Sequence, residues 1–302
     1  ATKAYLLPLI VFLSGTFLIL GAFLKVANLI QYISRSVVTG YITAAAFYII
    51  INQLAKVLGY SLELPQGSTV LTVLYLTLVK IGATHWPTLL VSLATFAVFR
   101  LLDRRFSKLP NVAITLVIMS AVATGLNQLL LANGWAAPVG TLNAVDPSQW
   151  TFSLPPLRGD LISQLSSVAL VVAFLSVLEG TSIGKSLASR AGQKLDSNQE
   201  MFGMGLANIG CALYQGMPAS GSLTRSQLNW NSGAKTPLAS MIAGLLCAIG
   251  AYTVGPFTHY IPTSVLAVLV ITIGLSLINR HVLRIVWNAT GSDRLVFLVT
   301  FL

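Results

Sequence analysis

Apolar residues in this chain come in runs, and most of the runs are too long for an ordinary core element. A helix needs about 20 mostly apolar residues to cross the hydrocarbon layer of a bilayer. Runs approaching or reaching that length occupy Tyr5–Leu24, Val37–Leu58, Thr88–Leu102, Asn111–Leu131, Leu161–Leu178, Met201–Tyr214, Pro237–Val254 and Ser264–Ile278. A further run begins near Arg294 and is still apolar at Leu302. Two places break the rhythm. Thr69–Ile81 is flanked by polar turns and reads as a short surface helix. Between Tyr214 and Pro237 the chain turns polar and Gly-rich, with room for only a half-helix at Leu223–Asn229. The pattern predicts an all-α, polytopic membrane protein.

Composition strengthens that reading. The 302 residues are 55% hydrophobic and only 9% charged, against about 25% charged for a soluble domain. So few charges cannot build a water-facing surface. The formal charge of +10 comes from Lys and Arg set in short loops between apolar runs, which points to membrane topology and not to nucleic acid. If each segment reverses side, thirteen basic residues fall on one face of the membrane and four on the other. The thirteen-residue side, with Arg100, Arg104, Arg105, Lys185, Arg280 and Arg284, is then cytoplasmic. The alternation requires the Leu223–Asn229 region to count as one crossing. Seven helical residues cannot span alone, so non-helical backbone must cover the remaining depth.

Candidate chemistry is sparse. Cys211 and Cys247 lie inside apolar segments, which excludes a disulfide framework. His85, His259 and His281 fall in separate loops and read as interfacial residues. Gly184-Lys185-Ser186 looks like the end of a phosphate-binding loop, but Glu179 stands where its first glycine is required. A membrane enzyme would need a nucleophile, metal ligands or a paired acid and base at depth; the sequence offers none, so no catalytic role, metal or cofactor is expected. Gly203, Ala207 and Cys211 recur every four residues and are expected to let a neighbouring helix approach closely.

Two features stand out. Glu179 is the one acidic residue embedded in an apolar run. A carboxylate at membrane depth costs several kcal/mol and is usually retained to relay protons, bind a cation or pair with a base. The alternative is that Glu179 lies at its helix end and reaches the interface. The second feature is Gln215-Gly-Met-Pro-Ala-Ser-Gly-Ser-Leu-Thr224-Arg225. Pro218 and Gly221 break the preceding helix, and Ser222 or Thr224 can cap a new one. A half-helix starting in mid-membrane aims free N–H groups and a positive dipole end at a cavity. Arg225 adds a permanent cation, so the site suits an anion. The alternative is an ordinary loop, with Arg225 reaching the headgroups. Glu179 and Arg225 are natural partners, each offsetting the burial of the other.

The same residues carry a family likeness. Val38-Thr-Gly-Tyr-Ile-Thr-Ala-Ala-Ala, with Asn52-Gln53-Leu54 and Leu58-Gly59-Tyr60, resembles the fifth segment of SulP sulfate permeases. Phe174-Leu-Ser-Val-Leu-Glu179-Gly-Thr-Ser-Ile-Gly-Lys-Ser-Leu-Ala resembles the eighth. Leu195-Asp196-Ser-Asn198-Gln-Glu200, Gly205-Leu-Ala-Asn208, Gly221-Ser-Leu-Thr224-Arg225-Ser and Gly233-Ala-Lys-Thr236-Pro237-Leu238 resemble the ninth and tenth segments and the loop after them.

The resemblance implies a UraA-like fold of two inverted seven-segment repeats, arranged as core and gate domains. It implies that residues 1–302 are one transmembrane domain fragment, from segment four to the start of thirteen. Segments one to three and a cytoplasmic STAS domain would be absent, and the chain alone is expected not to transport. It assigns substrate contact to Gly221, Ser222, Leu223, Thr224 and Arg225, and ion coupling to Glu179. The implied function is secondary anion transport by an elevator motion, with proton-coupled sulfate uptake leading. The alternatives are sodium-coupled bicarbonate transport, anion exchange or a channel-like leak. The implied setting is a homodimer in the plasma (inner) membrane, with an inorganic anion, a proton or sodium ion and the lipid bilayer as partners and no nucleic acid. The family often has Ser where this chain has Thr224 and Gly180, which leaves the preferred anion open.

Overall fold

The computed structural model describes residues 2–29, 32, 34–65, 67–106, 109–134, 139–146 and 151–301, with backbone alone for 2–5, 35, 190, 223, 224 and 227. The described residues form twelve α-helices: α1 Thr2–Phe23, α2 Arg35–Leu58, α3 Val70–Val79, α4 Trp86–Arg105, α5 Asn111–Ala132, α6 Gly159–Ala191, α7 Ser197–Leu213, α8 Leu223–Asn231, α9 Leu238–Val254, α10 Thr263–Leu277, α11 Arg280–Asn288 and α12 Gly291–Phe301. Seven stretches among the described residues are long and apolar enough to cross a membrane.

Every expected segment has its helix, with three differences. The Leu161–Leu178 segment continues to Ala191 as part of α6. The half-helix runs two residues further, to Asn231. The stretch around Arg280 and Arg284, read as loop, folds as α11 because Asn279 caps it, its side chain accepting from the N–H groups of His281 and Val282.

The chain divides into two compact units. The first comprises Ala1–Ile33 and Pro147–Ala251. In it α1 packs along α6 and α7. Leu9, Leu13 and Ala169 form a buried cluster where α1 meets α6. Against α7 the approach is closer: a Cβ built on Gly15 would lie 2.8 Å from the Gly205 carbonyl oxygen, and one on Gly205 would lie 2.8 Å from that of Gly15. Only glycine at both positions permits this backbone contact. The stripe that does so is Met201, Gly205, Asn208 and Ala212, the buried face of α7. The expected Gly203, Ala207, Cys211 stripe does not; no described atom lies within 4 Å of a Cβ at Gly203. The buried face follows the helical repeat, while Gly203 and Ala207 are exposed.

The second unit comprises Ser34–Asp146 and Tyr252–Leu302. Its core is Val91, Met119, Ala123, Val139, Val265 and Leu269. Gly59 ends α2 in the left-handed region at φ 86°, where a side chain would be strained and would strike His85 and Thr88. Asn127 of α5 pairs with the backbone of Val139, beyond the helix. Its amide donates to the Val139 carbonyl at 3.0 Å and accepts from the Val139 N–H at 2.8 Å. Throughout both units, buried hydroxyls of Ser14, Thr77, Thr95 and Thr181 bond carbonyls of their own helix. That satisfies them without water.

Candidate functional site

The candidate site lies within the first unit and is built from three helices and the break between α7 and α8. α7 starts on Asp196, whose carboxylate accepts from the N–H groups of Asn198 and Gln199. It ends in a left-handed turn at Gln215, φ 56°. The Gln215 N–H bonds the Ala212 carbonyl, and the Gly216 N–H bonds that of Cys211 at 2.7 Å. This double closure satisfies the last carbonyls of the helix and turns the chain sharply out of it. Residues 216–222 then carry no regular structure, with Pro218 preventing resumption of the helix.

Three consecutive residues of this stretch are anchored. Asn208, fully buried on α7, accepts from the Ala219 N–H at 2.9 Å and donates to the Ala219 carbonyl, also at 2.9 Å. Its second N–H bonds the Met204 carbonyl one turn back. Each such bond is worth about 0.5–1.5 kcal/mol net, and leaving a buried partner unmade costs about 1–3 kcal/mol. Ser220 donates its hydroxyl to Oε2 of Glu179 on α6 at 2.9 Å. Gly221 lies against α6 so closely that a Cβ there would be 3.3 Å from the Gly180 Cα. The next residue, Ser222, takes the N-cap position of α8 in extended conformation, but its hydroxyl makes no capping bond. The opening N–H groups of α8 have no partner inside the helix, and the positive end of its dipole lies here.

Glu179 is twelve residues from the end of α6, so about 18 Å of helix follows it. Its side chain is exposed. Its neighbours differ from expectation. Among the described residues, Arg158–Asp160 at 3.1 Å is the only ion pair, so Glu179 and Arg225 are not within 4 Å of each other. Ser220 takes the place expected for Arg225. Arg225 itself is exposed on the first turn of α8. The side chains of Leu223 and Thr224, both expected to contact substrate, lie outside the described residues, although their backbone opens α8. A cleft of about 510 Å³ borders the same elements, with Glu200, Ser220, Gly221, Ser226 and Trp230 among its lining.

The structure thus brings Glu179, Gly221 and Ser222 to one break. It adds Asn208, for which no role was expected, and a side-chain bond at Ser220, where the resemblance implied backbone contact alone. An amide in the middle of an apolar span was the available signal for Asn208, since a buried polar group must find partners.

Comparison with known proteins places this geometry. The profile described as "Sulfate permease family" matches residues 2–300. The chain is 29% identical over 298 residues to "Probable sulfate transporter 4.2" of Arabidopsis thaliana, covering 98% of this chain and 43% of that protein. It is 28% identical over 288 residues to "Solute carrier family 26 member 6" of Homo sapiens, covering 90% and 36%. It therefore spans about two-fifths of the length of such relatives. Among solved structures, the transmembrane domain of the cyanobacterium bicarbonate transporter BicA superposes with a TM-score of 0.86 at 19% identity, covering 99% of this chain and 74% of that one. Murine Solute Carrier 26 family member A9, an anion transporter in the inward-facing state, gives 0.86 at 20% identity, covering 100% and 49%. These likenesses show the UraA-like fold.

Proposed function

From the premise that this chain belongs to the sulfate permease family of anion transporters, we propose that it carries the substrate site of a multi-pass secondary transporter for proton-coupled sulfate uptake. The observation that carries this reading is the bond from Ser220 to Glu179. It ties the acidic residue of α6 to the stretch that feeds α8, two residues before the N-cap.

Sulfate is a compact dianion with acceptors on every side. The opening N–H groups of α8 supply donors and a favourable dipole. Ser222 and Thr224 supply hydroxyls, Gly221 and Leu223 supply backbone, and Arg225 supplies the charge that attracts the dianion from water. Glu179 takes up the coupling proton. With its carboxyl neutral, less negative charge stands near the incoming anion. Glu179 and Arg225 belong to one compact unit, so the anion travels with that unit in an elevator motion. The full-length protein works as a homodimer.

The test is labelled-sulfate uptake into proteoliposomes of the full-length polypeptide carrying this sequence, with and without an inward proton gradient. Uptake driven by the gradient, lost in Arg225→Ala and uncoupled in Glu179→Gln, is expected. Saturable uptake retained by Arg225→Ala would overturn the site. Sodium-driven bicarbonate uptake with no sulfate uptake would replace the substrate, and uptake indifferent to the gradient and to Glu179 would replace symport with exchange or leak.

A further inference from the structure

We infer that Asn208 is the positioning residue of the anion site. By gripping the backbone of Ala219 from α7, it fixes where the non-helical stretch runs and hence where the first N–H groups of α8 point. The inference rests on the proposed anion site at α8 and assigns to it a residue that does not touch the substrate.

The geometry leaves little choice of role. Asn208 is fully buried, and both ends of its amide are engaged: the oxygen with the Ala219 N–H, the nitrogen with the Ala219 and Met204 carbonyls. None of its N–H groups is free for a ligand. Ala219 sits three residues before the N-cap Ser222. Between them, Ser220 is held by Glu179 and Gly221 rests on Gly180, both on α6. The Asn208 grip is the anchor from α7, and it is the only one of the three that holds both the N–H and the carbonyl of a single residue. A pair of antiparallel bonds to one peptide position fixes its depth and rotation together. Release of that residue frees the start of α8 to shift. Donor arrays tolerate such shifts poorly, because an oxyanion is bound only where the N–H groups converge.

The experiment uses the full-length protein with Asn208→Leu, which keeps the approximate shape and removes the amide's donor and acceptor, leaving the Ala219 N–H and carbonyl without them. Asn208→Asp keeps the acceptor for the Ala219 N–H, and when protonated regains a donor. Uptake kinetics are expressed per folded transporter, so that a loss of folded protein does not count as an effect. For Asn208→Leu the anion KM is expected to rise roughly tenfold or more, since small misplacements of binding groups cost up to about a hundredfold. For Asn208→Asp the KM relative to wild type is expected to return toward one as the pH falls, while the Asn208→Leu ratio stays raised. A purely space-filling role predicts no such recovery.

Hydrogen exchange separates this inference from the transport reading. Peptides covering residues 215–223 should exchange faster in both variants at neutral pH, with α1 and the first half of α6 unchanged. Unchanged exchange at 215–223, or wild-type KM in a folded Asn208→Leu protein, would overturn the assignment. If wild type moves no anion, the transport reading falls, and with it the role in anion affinity; the exchange data still decide the grip. Should Asn208→Leu fail to fold, Asn208→Asp alone decides by its pH-dependent KM.

Discussion

Gly205 and Gly203 lie two residues apart on α7, and the structure predicts opposite responses to the same substitution. A Cβ at Gly205 would lie 2.7 Å from Ile19 Cγ1, 2.8 Å from the Gly15 carbonyl oxygen and 3.0 Å from the Ile19 nitrogen. Two of these are backbone atoms of α1 and cannot swing away. A carbon facing a carbonyl oxygen ordinarily rests at about 3.3–3.6 Å, so α1 and α7 must part by roughly half an ångström. Overpacking of this kind costs about 1–3 kcal/mol. At Gly203 no described atom lies within 4 Å of the new Cβ, and Ala is favoured over Gly inside a helix by about 1 kcal/mol. That gain is common to both sites and cancels between them, so Gly205→Ala should unfold about 1–3 kcal/mol more easily than Gly203→Ala. The assay is denaturant unfolding in detergent micelles for both variants and wild type. Gly15→Ala should behave like Gly205→Ala, and the double variant should cost less than the sum, because helices already parted accept the second methyl. Gly205→Ala as stable as Gly203→Ala would refute the close contact and the reasoning from it.

Two further outcomes concern the helix ends. Asp196→Ala removes the acceptor that closes the first turn of α7 and should cost about 0.5–2 kcal/mol, read by the same unfolding assay; Asp196→Asn should recover most of it. Asp293, ahead of the apolar run of α12, accepts from the hydroxyls of Thr290 and Ser36, which hold its carboxyl below the usual 3.8. Its contribution to stability is therefore whole above that value and is lost as the pH falls through the lowered one. The stability difference between wild type and Ser36→Ala should be constant at neutral pH and shrink only in strong acid. A difference that persists undiminished there would show that the Ser36 bond is not to a charged carboxylate.

The spans were legible because the bilayer imposes a length and an apolar content that a sequence displays directly. The break before α8 was legible for the same kind of reason: Pro218 and the glycines around it forbid the helix locally. The extent of α6 was not. Hydropathy falls after Leu178, and the segment was ended there, yet the helix runs on to Ala191 and stops in a left-handed glycine cap at Gly192. The expected Glu179–Arg225 pair was an argument from charge alone. Charge names candidates for a partner, but distance selects among them, and Ser220 is the one the backbone delivers.

What the sequence determined by itself was therefore what neighbours along the chain govern: the spans and the break before α8. The contacts between distant residues were decided only by the tertiary structure. Gly15 and Gly205 are separated by 190 positions, yet meet because α1 lies along α7. Asn208 is an unremarked amide until the chain reverses at Gln215 and lays Ala219 beside it. A buried polar group must be satisfied by something, and a sequence states that demand without stating which atom meets it.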